Sequence, residues 1–172
     1  MSQLKVNSIV PVAGVASGQG GGIVQVVTGS TSTQVETTGT TFVDTNLTAN
    51  ITPLSTNNKI LVIVHQHIQI SMGTANGGGV QLLRGSTVIE EARPANATGP
   101  FQYYFGNFSS NMNFYFFHNS TILDSPSTTS ATTYKTQMRI YSNNGSNTIR
   151  SQSQSATGVS PTSVIHLLEV SA

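Results

Sequence analysis

His65 and His67 flank Gln66 inside the longest β-forming run of the chain, residues 59–70. Alternate side chains of a strand share a face, so the two imidazoles point the same way. Neutral imidazole is a common metal ligand. Three copies of such a pair about an axis would offer six nitrogens, enough for an octahedral ion. The competing reading is two histidines on a sheet face, or at a subunit contact. No metal ligand and no cofactor-binding residue is assigned on this pattern. His118 and His166 stand alone and read as structural.

A second chemistry lies in the aromatic stretch 101–117. The faces of Tyr103, Tyr104 or Tyr115 could stack on a sugar ring. The chain has seven Phe, five Tyr and no Trp, so its core needs most of its rings. Phe105, Phe114 and Phe116 are therefore expected inward, and Tyr104 and Tyr115 outward. The stretch reads as a hairpin, with a polar turn at 106–111 and ring pairs across its two strands.

Acid–base catalysis needs placed carboxylates or a histidine with an orienting partner. The carboxylates are only Glu36, Asp44, Glu90, Glu91, Asp124 and Glu169. No Gly-x-Ser-x-Gly, His-Glu-x-x-His or phosphate-loop motif occurs. The run Gly20-Gly21-Gly22 precedes a strand rather than a helix, so it lacks the amide cluster that holds phosphate. The expectation is a protein that is not an enzyme and has no catalytic residue. The seven basic residues, Lys5, Lys59, Arg84, Arg93, Lys135, Arg139 and Arg150, are scattered, which argues against a nucleic-acid partner. Arg84, beside Gly85, is expected to bridge backbone carbonyls or a carboxylate such as Glu90.

The elements that would position these groups are strands. Residues 23–27 form the first, and a polar linker at 28–33 leads to a short strand at 34–38. In 42–51, Val43, Thr45, Leu47, Ala49 and Ile51 share the apolar side, and Pro53 ends the segment. Residues 59–70 are apolar on both faces at their start, which predicts a central strand. The Asn76 to Gly79 run reads as a loop. A strand at 80–84 then turns at Gly85-Ser86 into 87–90. Residues 91–100 read as a loop. Residues 122–126 read as an edge or turn. In 133–141, Tyr134, Thr136, Met138 and Ile140 face inward, and Lys135, Gln137 and Arg139 face outward. Asn143-Asn144-Gly145 is a hairpin signal. Residues 148–150 lead into a Ser/Gln-rich edge, and 163–170 form a last strand buried beside others, in a class of fold where first and last strands can lie side by side. Nine or ten strands with frequent turns predict an all-β fold, a jelly-roll-like antiparallel β-sandwich over residues 23–172. Residues 1–22, apolar but broken by Pro11 and several glycines, are expected to be an assembly arm.

At 172 residues the chain can bury one substantial core. Only 8 % of residues are charged, against about a quarter in an average soluble protein. Such a surface has little repulsion to keep copies apart and suits an assembled protein. There are no cysteines, so neither disulfides nor thiolate metal sites enter. The opening residues lack the apolar stretch of a signal peptide, and no apolar run reaches membrane-span length. The expectation is synthesis in a cytoplasm without membrane insertion.

Several segments together resemble a known family. They are 41–53 running into 58–62, then Leu82-Leu83-Arg84-Gly85-Ser86-Thr87, then Leu123-Asp124-Ser125-Pro126, 131–137, and the end Leu167-Leu168-Glu169-Val170. This series is similar to small fibre-like or tail-associated virion proteins of tailed phages, commonest in phages of marine cyanobacteria. It covers about residues 40–172. The opening Leu4-Lys5-Val6-Asn7-Ser8-Ile9 resembles the start of many phage fibre proteins. The resemblance implies a jelly-roll head, a virion structural role in the tail, and a homotrimer. It further implies attachment of residues 1–22 to other tail or capsid proteins. It carries over no catalytic residue. A capsid decoration or knob protein, and a carbohydrate-binding module that touches a host-surface glycan, remain alternatives. For the last of these, the loops 73–79, 92–100 and 106–111 are the candidate contacts.

Overall fold

The computed structural model describes residues 21–73, 76–91, 103–105, 112–141, 147–153 and 158–172. Residues 1–20, and with them nearly all of the expected arm, lie outside the described residues, as do 92–100 and 106–111. Eleven strands occur among the described residues: β1 (Ile23–Thr31), β2 (Val35–Thr37), β3 (Val43–Ile51), β4 (Lys59–Met72), β5 (Asn76–Arg84), β6 (Thr87–Glu90), β7 (Tyr103–Phe105), β8 (Met112–Asp124), β9 (Thr132–Ile140), β10 (Thr148–Ser151) and β11 (Ser163–Val170). They form two antiparallel sheets stacked as a sandwich. Sheet A has β4 at its centre, with β8 along one side. On the other side β11 pairs with the first half of β4 and β10 with the second, flanked in turn by β1 and β2. Sheet B runs β3-β9-β5-β6, with β7 also on β5. The expected central strand and the adjacency of first and last strands are both present. Gly21 and Gly22 extend that pairing, through Gly21 N donating to Ser171 O (2.7 Å) and Ser171 N to Gly22 O (2.9 Å).

Alternation sets each inner face. Thr45, Leu47, Ala49 and Ile51 of β3, and Tyr134, Thr136, Met138 and Ile140 of β9, are all buried as their period-two patterns predict. Four sequence readings need correction. The linker expected at 28–33 is mostly strand, because β1 continues to Thr31 against β11. The 76–79 run is strand, not loop: Gly78 sits where a Cβ would meet Arg139 O at 2.9 Å and Ile149 Cδ1 at 3.0 Å. Glycine there lets β5 lie close to its neighbours without a side chain. Residues 122–124, read as an edge or turn, are edge: they end β8, which among the described residues pairs only with β4, in unbroken register from Met112 to Asp124. The expected aromatic hairpin is absent, because β7 belongs to sheet B and β8 to sheet A. Tyr103 and Phe116 do meet, with ring centroids 4.3 Å apart, but across the two layers. Finally, β10 is flanked on both sides, and Ser151, Gln152 and Ser153 are buried rather than forming an edge. The Asn143 to Gly145 signal lies outside the described residues, and the strands on either side of it belong to different sheets.

The core has two apolar clusters. One gathers Leu47, Ile51, Ile60, Val62, Val64, Leu82, Tyr134, Ile165 and Leu167. The other gathers Ile68, Ile70, Met72, Val80, Met138, Ile140 and Ile149. Between them runs a buried polar belt of Thr45, Gln66, Thr136, Ser151, Gln152 and Ser163. The belt stands where β4 exchanges β11 for β10, so its backbone there has no ladder partner on that side. His67 O instead accepts from Gln152 N (3.1 Å), and His67 N donates to Ser163 Oγ (3.0 Å). The Gln152 amide, oriented to face its acceptors, donates to Ser151 Oγ (2.7 Å) and Thr45 O (3.2 Å), and accepts from Gln66 Nε2 (3.1 Å). Within sheet B, between the paired strands β3 and β9, Thr45 Oγ1 lies 2.5 Å from Thr136 Oγ1. Next to Thr45 the pairing of β3 with β9 shifts, and Asn46 takes a left-handed φ of 64°.

Candidate interaction face

The outward residues of sheet A fall into rows, because the registers of β1, β11, β4 and β8 are fixed. One row reads Val26, Leu168, Leu61, Leu123, and it is apolar throughout. Val26 is 59 % exposed and Leu123 53 %. Ile23 and Val170 adjoin it, with Lys59 at the margin. The next row is Thr28, His166, Ile63, Thr121, in which Thr28 Oγ1 lies 2.9 Å from His166 Nδ1.

Further along β4 the face becomes aromatic. His65 and His67 share it, as their spacing requires. His65 stacks nearly parallel on Phe117, with centroids 4.3 Å apart at 15°. Its Nδ1 lies 2.6 Å from Asn119 Oδ1. His67 meets Phe117 edge-on at 5.6 Å and lies 6.2 Å from Tyr115. Burial holds His67 below the usual imidazole range. Gln69 Nε2 donates to Tyr115 Oη and to Asn113 Oδ1, both at 3.2 Å. Ser153 Oγ bonds Gln69 Oε1, and Ser71 Oγ bonds Asn113 Oδ1. Arg150 pairs with Glu36 beside this region. Tyr115 is 62 % exposed and Phe117 48 %. Among the described residues, no three His, Asp or Glu gather as a metal site would require.

Phe114 and Phe116 pack against the second core cluster, as expected. The side chains of Tyr104 and Phe105 are outside what the structure describes. His118 faces inward. Its Nδ1 lies 2.7 Å from Tyr103 Oη. Burial lowers its pKa, with the nearby Glu90 charge opposing. The same burial, helped by Glu90, pushes the Tyr103 hydroxyl up to about 12.

Arg84 does not bridge to Glu90. Its Nη1 lies 2.8 Å from both carboxylate oxygens of Asp124, on the other sheet, and donates to Ser125 O at 3.1 Å. Tyr134 Oη donates to the same carboxylate at 2.7 Å. Burial, then that bond to Asp124, raises the Tyr134 hydroxyl above its usual range. Glu90 instead accepts from Ser120 Oγ. Asp124 thus ties β5, β8 and β9 together. Sequence reading missed this, and it missed Phe117, Asn119 and Leu123 as face residues. The strand runs on through Asp124, beyond the aromatic stretch 101–117 to which the hairpin reading was confined.

No protein-family model matches the chain, and a search of curated proteins finds no relative.

Proposed function

We propose that this chain is a virion structural protein, a jelly-roll head in the tail of a phage, assembling as a homotrimer. One observation carries the reading: the uncharged row Val26, Leu168, Leu61, Leu123 across four adjacent strands. A contiguous apolar strip on a sheet face is characteristic of a contact surface. Lying along a three-fold axis, the strip would be covered by its equivalents in two other copies, and closed symmetry is the usual outcome. The low overall charge, 8 % of residues, adds no repulsion between copies. The resemblance of several segments to fibre-like virion proteins supports the same role.

Sedimentation of the full chain at micromolar concentration tests the assembly. A trimer is the expected species, and a monomer that persists over a dilution series overturns it. Labelled antibody against the chain, imaged on intact particles, then tests the tail assignment. Label on the capsid would favour a decoration role instead.

A further inference from the structure

The geometry points to a binding site for an uncharged pyranose chain on the outer face of sheet A, built from His65, His67, Tyr115 and Phe117 with Asn119 at its border. It rests on the virion reading only for the biological source of the sugar; the site itself is complete in one copy. It also replaces the loops as the place where a glycan would be met.

Three observations carry it. First, two large rings stand exposed at i and i+2 of one strand, Tyr115 at 62 % and Phe117 at 48 %. The electron-rich face of an aromatic ring attracts the weakly positive C–H groups that line one side of a pyranose. Second, the rings are held rather than free. Tyr115 Oη accepts from Gln69 Nε2 at 3.2 Å, and Gln69 is itself only 4 % exposed. Phe117 is pinned by the stacked His65, which Asn119 holds in turn. A ring already fixed loses little side-chain entropy when a ligand docks. Third, the groups around the rings are hydrogen-bonding donors and acceptors, the imidazoles and the amide of Asn119. Arg150 and Glu36, beside this region, are paired with each other. A sugar hydroxyl both donates and accepts, and neutral amides answer both. An anionic ligand would find no unpaired cation here among the described residues.

The site lies further along β4 than the apolar row: His65, its nearest member, is four residues from Leu61, about 13 Å at strand rise.

The test uses the full chain, isotope-labelled, titrated with three neutral oligosaccharides: maltohexaose, cellohexaose and fully N-acetylated chitohexaose. At least one is expected to shift the ring signals of His65, His67, Tyr115 and Phe117 at millimolar concentration. Tyr115→Ala and Phe117→Ala should each weaken that binding by about tenfold or more. Both positions are exposed, and the dispersed spectrum of each variant reports whether it folds. Asn119→Ala, which frees His65, should weaken it less. Failure of all three sugars to move these rings overturns the proposal. So does binding that shifts other residues, or binding unchanged in folded Tyr115→Ala and Phe117→Ala. Sedimentation of the same variants reads assembly separately, so loss of sugar binding with an intact trimer leaves the structural role standing.

Discussion

On the outer face of sheet B, Asp44 takes Lys135 Nζ at 2.8 Å and Gln137 Nε2 at 2.7 Å, while Gln81 reaches Gln137 at 2.9 Å and Thr133 reaches Asn50 at 2.6 Å. Arg139 lies over the Phe42 ring at 4.5 Å. On the outer face of sheet A, one whole row is Val26, Leu168, Leu61 and Leu123, and exposed rings stand further along β8. Both faces grow from the same alternation and cover the same core. They differ in what the cross-strand pairs do. Polar pairs on sheet B complete one another and need only water beyond them. The apolar row on sheet A has nothing to complete it except another apolar surface. The lesson is that exposure alone does not separate a solvent face from a contact face. Whether neighbours satisfy each other does.

The largest test of this contrast is charge placed on either face. Leu123→Lys and Val26→Lys on sheet A should each weaken self-association on the order of a hundredfold, the scale of a central interface residue. Thr48→Lys on sheet B should leave it unchanged. Sedimentation equilibrium reads all three, and equal responses from the two faces would erase the distinction.

A smaller effect separates a carboxylate between the layers from one on a face. Asp124→Ala strands Arg84 and the Tyr134 hydroxyl, and should cost roughly 1–3 kcal/mol in urea unfolding. Asp44→Ala breaks only a half-exposed pair and should cost about 0–1 kcal/mol. If the two losses match, the inter-sheet network is no more than a surface pair.

Acid should sharpen the comparison further. His118 and His67 have folded pKa values below 6.5, because burial disfavours their charged forms. The folded state then binds fewer protons than the unfolded one just below that pH. Their contribution is intact above 6.5 and is lost as pH falls through it toward the folded values. Asp44 behaves as a depressed carboxylate: burial opposes, but the bonds from Lys135 and Gln137 prevail. Its contribution is held above 3.8 and lost as pH falls below it. Melting temperature followed downward from neutral pH should therefore fall first with the histidines. His118→Gln should flatten that first decline, and Asp44→Asn should alter only the later one. An unchanged first decline in His118→Gln would place the titrating group elsewhere.

Much of the fold was legible because β3, β4, β9 and β11 each carry their inward pattern within a single segment. Tyr134, Thr136, Met138 and Ile140 could be placed without any partner in view. Gly77 to Gly79 could not, since a glycine run looks like a loop until the neighbours of Gly78 are known. The pairing of the aromatic strands failed for a similar reason. Closeness in sequence suggested a hairpin, while Tyr103 and Phe116 meet from opposite layers. His65 and His67 were visible as a pair, but their partner Phe117 comes from β8. The apolar row was the least legible. Val26, Leu61, Leu123 and Leu168 come from four strands, and each alone is an unremarked surface apolar residue.

The belt between the two core clusters has a consequence for how the chain finds its own address. Along β4 the inward letters are Ile60, Val62, Val64, Gln66, Ile68, Ile70 and Met72. A slide of two places keeps every apolar group inside, and one aliphatic letter reads much like the next. Gln66 is the exception. Only in the native alignment does its amide meet Gln152, while the backbone beside it meets Ser163. The aliphatic positions tell β4 which side is in; the single glutamine tells it how far along it stands.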